Sequence, residues 1–563
     1  MFARISLLSL LIAVSSLVQA QEDRLTAETL WAMGRVSMDD ISPDGKTVLY
    51  GVTYYDVPTN KSNRDLYIVP VEGGVAKKIT AFEGGEYNGQ YRPDGQKIAF
   101  LHGGNLWEMN PDGSDQRKVS DLEMNGFQYS PDGSKMLYIQ DVKYGQAANE
   151  KYKDLPLTQA KVIDDLMYRH WRTWDDLANS NIFYINYTDG KLSGEGKNIM
   201  NESFDSPTNP FGGMEQITWS PDGKKIAYTC KKLKGKDYAV STNTDIYLYD
   251  LETETTTNLS EGNMGYDVDP VFDPSGRYIA WNSMERDGFE ADRNRIMVYN
   301  FSTRTKKEIT DGLDRSCNGP QWSQDGKTVY CIAGVEATYQ IAAIDLATQN
   351  FRFLTKGNHN YNGFGVADNN TLVGAKVSMS MPQDLYRVDT RGKETQITFA
   401  NKDILEKTKM GEVKEKWVKT TDGKDMLVWM IYPPDFDPSK KYPTLLYCQG
   451  GPQSAVSQFW SYRWNFQMMA ANDYIIVAPN RRGLPTFGRE WNDAISQDWG
   501  GQPMKDYLTA IDEAAKEPYV DKDNLGAVGA SYGGYSVYWL AGNHDGRFKA
   551  FISHDGLFNL ESW

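Results

Sequence analysis

The sequence predicts two architectures in one chain: a β-propeller of about seven blades over residues 21–400, and a domain of alternating strands and helices over 417–563, with a linker at 401–416. Three observations carry this reading. A four-residue turn followed by an alternating strand recurs through the first two-thirds of the chain. From residue 417 the pattern changes to apolar strands separated by helical runs. One of those strands runs into Gly529-Ala530-Ser531-Tyr532-Gly533 and then straight into a helix-like run.

The recurring turn has the form Ser-Pro-Asp-Gly. Copies start at Ser42, Arg92, Ser130, Ser220, Asp273 and Ser323, and they lead into strands such as Lys97-Ile98-Ala99-Phe100 and Lys225-Ile226-Ala227-Tyr228. Proline presets the turn and glycine takes the positive φ at its end. A second strand of shared appearance follows, as in Asp65-Leu66-Tyr67-Ile68-Val69, Asn105-Leu106-Trp107-Glu108-Met109 and Asp245-Ile246-Tyr247-Leu248-Tyr249. Such units at a period of about 40–50 residues are propeller blades. One blade cannot bury both of its faces, so a ring is the stable solution. Six clear copies and a degenerate one near Asp384 give about seven blades. The interval from Ser130 to Ser220 holds either an eighth blade or an insertion.

That interval contains Asp164-Asp165-Leu166-Met167-Tyr168-Arg169-His170-Trp171-Arg172-Thr173-Trp174. It reads as a helical or irregular excursion between blades with its aromatics packed inward; the alternative is a segment that binds something. Glu285 and Glu290 read as solvated turn charges, with pairing to a peptide amine as the alternative.

Composition narrows the classes. The 563 residues exceed one ordinary domain, and 40% of them are hydrophobic, enough for large cores. The formal net charge of −15 argues against a nucleic-acid binder. Residues 1–20 read as a secretory signal peptide: Arg4, then a mostly apolar run from Ile5 to Val18, then Val18-Gln19-Ala20 as a cleavage site. No other stretch is long and apolar enough for a membrane span. The expected location is outside the cytoplasm, in a bacterial periplasm. Cys230, Cys317, Cys331 and Cys448 fit no zinc spacing; Cys317 and Cys331 either pair within one blade or stay free.

In the second domain, Lys416-Trp417-Val418-Lys419-Thr420 and Met426 to Tyr432 flank a turn at Asp422-Gly423 and form an antiparallel hairpin. Thr444-Leu445-Leu446-Tyr447-Cys448 is a buried strand that runs into Gln449-Gly450-Gly451-Pro452. A glycine pair there lets backbone N–H groups approach a reacting oxygen. A helix is expected over 462–472, a strand over Tyr474–Pro479 leading to Asn480-Arg481-Arg482-Gly483, a helix over Asp506–Lys516, and a strand at Ala550-Phe551-Ile552-Ser553. The Gly-x-Ser-x-Gly run between strand and helix is a nucleophile elbow, which makes this an α/β-hydrolase domain. Residues two before and two after the serine must be small, and Gly529 and Gly533 meet that need. The turn lifts the hydroxyl above the sheet and places the Tyr532 N–H beside it. A bare Gly-x-Ser-x-Gly is often an ordinary turn; the flanking strand and helix decide for the elbow.

Joined to the propeller, these motifs resemble the prolyl oligopeptidase family of serine peptidases, over nearly all of the chain after residue 20. Within it the resemblance is to the bacterial dipeptidyl peptidase and acylaminoacyl-peptidase branch. It is carried by Tyr447 to Gln453, Val456-Ser457-Gln458-Phe459-Trp460-Ser461, Val528 to Gly534, and Leu166-Met167-Tyr168-Arg169-His170-Trp171. It implies Ser531 as nucleophile, with the N–H groups of Tyr532 and Gly451 as the oxyanion hole. It implies short peptides as substrates, no metal or organic cofactor, and compatibility with a homodimer.

One departure stands out. In this fold the triad acid and histidine follow the serine, yet only His544 and His554 do so, and both come too early, as do Asp545 and Asp555. All four read as structural. The expectation is therefore a hydrolase domain incomplete at its C-terminal end, with the triad Asp and His beyond Trp563 and this stretch inactive alone. For the whole protein the expected activity is release of N-terminal dipeptides, with small or hydrophobic residues at the cleavage position. The rivals are acylaminoacyl-peptidase or oligopeptidase activity on the same scaffold, and a propeller binding module with an inactive hydrolase domain.

Overall fold

The computed structural model describes residues 23–561. The segment read as a signal peptide lies outside the described residues. Among those described, no helix is long and apolar enough to cross a membrane.

Seven antiparallel blades form the first domain. Five are separate four-stranded sheets, and the sixth and seventh are joined into one sheet by a single bridge between Tyr339 and Asn360. The third blade comprises Gly126–Tyr129, Lys135–Lys143, Ala178–Thr188 and Lys191–Asn198. The long interval is thus an insertion between the second and third strands of that blade, and it holds no eighth blade. The recurring turn explains itself. Ser42 Oγ donates to Asp44 Oδ1 at 2.6 Å and accepts from the Thr47 N–H at 2.9 Å, while Gly45 takes a φ of 69°. The Ser130, Ser220 and Ser323 copies repeat the Ser-to-Asp bond at 2.6, 2.6 and 2.7 Å. Each copy locks a hairpin, so repetition of the motif is repetition of the blade. The ring closes through Asn401, whose side chain bonds both N–H and C=O of Gly34 at 2.7 and 2.8 Å, and through Gln383, which reaches the Val36 carbonyl at 2.8 Å.

The second domain is a six-stranded sheet. Its strands are β1 (Val413–Lys419), β2 (Asp425–Ile431), β3 (Tyr442–Cys448), β4 (Ile475–Pro479), β5 (Val520–Ala530) and β6 (Phe548–His554). The order across the sheet is β1-β2-β4-β3-β5-β6, with β1 and β2 antiparallel and the last four parallel. Helices α1 (Phe466–Ala470), α2 (Arg489–Asp493), α3 (Gln502–Ala514) and α4 (Tyr532–Asn543) cover it. Helix α3 turns Met504, Tyr507, Ile511 and Ala514 into the core at helical spacing.

The chain from 401 to 416 is not a helical linker. Only Lys402–Leu405 is helical, and β1 already begins at Val413, because Val413 to Lys419 pairs residue by residue with β2. The first described residues also depart from the propeller assignment. Asp23–Arg24 pairs with Thr408–Lys409, and Leu25, Leu30 and Met33 pack against Ala471 of the second domain. Helix α1 spans one turn where 462–472 was expected, since Ser461 to Asn465 is held in a capped loop. All four cysteines are buried free thiols. Cys317 faces Ala333 across its strand pair, with Cys331 diagonal to it, and both stand as free thiols in the structure.

Candidate active site

Strand β5 delivers Ser531 to the head of α4 in a backbone conformation of φ 58° and ψ −122°. L-residues adopt this only under strain, and such strain belongs to nucleophile elbows. The glycines make it affordable. A Cβ on Gly533 would stand 2.1 Å from the Cys448 carbonyl oxygen, and one on Gly529 would meet the Gly533 and Cys448 carbonyls at 2.6 and 2.7 Å. The Ser531 N–H donates to the His554 carbonyl at 3.0 Å, which ties the elbow to β6. Ser531 is exposed, and Tyr532, next in the chain, is fully buried with its hydroxyl on the Trp499 carbonyl at 2.8 Å. Position one of a helix has an N–H without an intrahelical acceptor, so the Tyr532 N–H is available beside the serine.

The loop after β3 runs against this elbow. A Cβ on Gly450 would lie 2.9 Å from the Ala530 carbonyl oxygen and 3.7 Å from the Ser531 Cβ. Gly451 follows with φ 120°, a conformation that places the backbone tightly against residues 453 and 454. The Gly450 backbone and the head of α4 at Tyr532 thus flank Ser531, and Gly451, the expected second donor, is the next residue of that loop.

The motif Asn480-Arg481-Arg482-Gly483 is what holds that loop. Asn480 bonds both backbone groups of Val456, at 3.0 and 3.1 Å. Arg482 makes a bidentate pair with Asp422, both contacts 2.8 Å, and lies 3.6 Å from buried Asp506. The Arg482 guanidinium holds the Asp422 carboxyl far below the usual range, and burial raises that of Asp506. Gln449 donates its N–H to the Tyr507 hydroxyl at 2.9 Å.

The two late histidines are occupied elsewhere. His554 pairs with Asp555 at 3.1 Å and rests against Trp464, and His544 accepts from the Phe548 N–H at 3.1 Å. Among the described residues neither is hydrogen-bonded to Ser531, and no cluster of metal-ligating side chains occurs.

A cavity of about 2130 Å³ separates the domains and reaches the oxyanion loop at Gly451, Pro452 and Gln453 beside Trp499; Ser531 itself is not in its lining. Its far wall is the third-blade insertion. The expectation of inward-packed aromatics fails there. Residues 169–174 form a small hairpin, Arg169–His170 against Thr173–Trp174, whose tip Trp171 is 74% exposed and meets Phe211 edge-on at 5.7 Å. His170, Trp171 and Trp174 line the cavity. Glu290 also lines the cavity, 3.4 Å from the Tyr266 hydroxyl, whereas Glu285 stays on the surface. Sequence reasoning missed the bridge beside it. Arg286 bonds Asp292 within the propeller and Asp493 of α2 at 2.9 and 3.1 Å, and the Asn492 side chain reaches the Ala291 carbonyl at 2.9 Å. The Gln453 side chain donates to the Asn492 carbonyl at 3.0 Å, so the propeller touches the oxyanion loop through one helix.

Fold and site together define a propeller-capped α/β-hydrolase with a serine at its elbow. A model of the prolyl oligopeptidase family matches residues 460–563, and a TolB β-propeller model matches 178–408. The dipeptidyl-peptidase 5 of Porphyromonas gingivalis is 47% identical over 547 residues, which cover 96% of this chain and 80% of that protein. The dipeptidyl-peptidase 5 of Porphyromonas endodontalis is 43% identical over 553 residues, covering 96% and 79%. In fold, the acylaminoacyl peptidase of Pyrococcus horikoshii superposes with a TM-score of 0.77 at 21% identity, over 95% of this chain and 79% of the other. The chain belongs to the prolyl oligopeptidase family of serine peptidases.

Proposed function

We propose that the protein is an exported serine exopeptidase that releases N-terminal dipeptides from short peptides, with small or hydrophobic residues at the cleavage position. The observation that carries this is the strained, exposed Ser531 pressed against Gly450 at the edge of a walled cavity. The relatives named dipeptidyl-peptidase 5 supply the reaction class. Ser531 Oγ attacks the scissile carbonyl and forms an acyl-enzyme, which water then hydrolyses. The N–H groups of Tyr532 and Gly451 bind the tetrahedral oxyanion, a contribution of about 3 kcal/mol per donor. Proton transfer from Ser531 requires a general base, a role that His544 and His554, bound to other partners, do not fill. Glu290, one of the carboxylates lining the propeller wall of the cavity, is the residue assigned to hold a free amine. The apolar run before Ala20 supports export to a periplasm.

The exposed Trp171 and Phe211 favour a second reading, an acylaminoacyl-peptidase whose apolar wall accepts a blocked N-terminus. One comparison separates them. The intact gene product and its Ser531→Ala variant are assayed on a reporter dipeptide with a free amine and on the same dipeptide acetylated. Cleavage of the free form alone, abolished in the variant, is the expected result. Cleavage of the acetylated form supports the second reading, and no cleavage by a folded protein leaves a binding module with an inactive hydrolase domain.

A further inference from the structure

Arg481 and Arg482 are adjacent in the chain and opposite in circumstance. Arg482 is paired with Asp422 and lies near Asp506. Arg481 is completely buried, yet among the described residues no carboxylate lies within ion-pair distance of it. Its donors go instead to neutral oxygens: Nε to the Tyr507 hydroxyl at 3.0 Å, Nη1 to the Arg482 carbonyl at 2.8 Å, and Nη2 to the Gln449 carbonyl at 3.2 Å. Its guanidinium stacks 4.7 Å from the centre of the Tyr532 ring. A buried cation without a counter-ion is costly, and neutral donors would satisfy the same oxygens at less cost. The position of the charge is therefore the feature to explain.

That position is beneath the oxyanion hole. Gln449 leads into the Gly450-Gly451 turn, and Tyr532 is the residue after the nucleophile, so one guanidinium contacts both donor segments. Its field reaches its neighbours: burial pushes the Tyr532 phenol and the Cys448 thiol up, and the Arg481 charge is the main effect opposing it at each. A fixed charge in a water-excluded site acts on developing charge without reorganising.

We propose that Arg481 is an electrostatic positioning residue of the oxyanion hole, fixing the Gln449–Gly451 and Ser531–Tyr532 segments and biasing the site toward an anionic tetrahedral intermediate. The proposal rests on Ser531 being the nucleophile. Its test uses the intact gene product, with Arg481→Met to remove the charge at similar volume and Arg481→Lys to keep it. Turnover of a p-nitrophenyl acyl ester, normalised to the folded fraction from circular dichroism, is compared with inhibition by a boronic acid that forms a tetrahedral anion on serine. Arg481→Met should lower kcat about tenfold to a hundredfold and weaken the boronate in parallel, with KM little changed. Arg481→Lys should recover most of both. Equal losses in the two folded variants, or a boronate affinity that does not follow kcat, would overturn the proposal. If Arg481→Met does not fold, the Lys variant decides: it must keep the wild-type ratio of boronate to substrate affinity. A wild type without Ser531-dependent turnover would overturn the peptidase reading and this proposal together, whereas turnover unmoved by either substitution would overturn this proposal alone.

Discussion

The two sides of the interdomain cavity are built on opposite principles. The hydrolase side is tightly built around the elbow: Gly450, Gly529 and Gly533 sit where a Cβ would come within 3 Å of a carbonyl oxygen, and the Gln449 and Val456 backbone groups are held by side-chain hydrogen bonds. The insertion side is a two-residue-by-two-residue hairpin carrying an exposed tryptophan on a loop from blade three. The first can hold a transition state to fractions of an ångström. The second can give way to side chains of different size. Under the proposed function, chemistry and selectivity would fall to different parts of the chain.

The largest effect should come from breaking the rigid side. Gly533→Ala forces a Cβ to 2.1 Å from the Cys448 carbonyl, so α4 or β3 must move. A loss of about 3 kcal/mol or more in urea unfolding and at least about a hundredfold in turnover is expected. Gly542 is the internal control. It lies in the same helix with nothing within 4 Å of its Cβ position. Gly542→Ala should stabilise by about 0.5–1 kcal/mol and leave turnover unchanged. Equal effects at the two glycines would remove the argument from close approach.

Acid sharpens the contrast in the propeller. Burial alone would raise the Glu394 carboxyl, but His359, Lys376 and Tyr361 around it draw it down to about 2. A carboxylate depressed in the folded state stabilises fully above its unfolded value of about 4.3 and loses that contribution as pH falls toward about 2. Unfolding followed between those limits should steepen, and Glu394→Gln should flatten that limb while lowering stability at pH 7. An unchanged acid limb would show that blade seven does not depend on this cluster.

The smallest stability effect belongs to the insertion side. Trp171→Ala should shift unfolding by no more than about 0.5 kcal/mol, because the ring is mostly in solvent. It should raise KM for peptides with apolar residues and spare kcat on a small ester. A drop in kcat would mean the hairpin contributes to the chemistry.

The rigid side was the legible side. Gly529, Ser531 and Gly533 encode the elbow within five residues, and local steric rules suffice to read it. The blade turns were equally local, since in the Ser42, Ser130, Ser220 and Ser323 copies the serine bonds the aspartate two residues on and its carbonyl takes the glycine N–H. What sequence reading missed depends on partners far along the chain. Trp171 packs inward or faces a cavity according to what lies beneath it, and Arg286 becomes a domain bridge only because Asp493 is brought beside it. Val413 looked like linker because its strand partner at Ile431 lies across a hairpin. Arg481 was visible as part of a motif, but its burial without a counter-ion is a tertiary fact.

The central claim is that the elbow presents Ser531 as the nucleophile between the donors of Tyr532 and Gly451. The most direct measurement is reaction of the intact gene product with a fluorophosphonate, followed by peptide mass mapping of the adduct. A single adduct on Ser531, formed in proportion to the loss of dipeptide hydrolysis, is the predicted result. An adduct on another serine, or none on a folded and hydrolytically active protein, would contradict it.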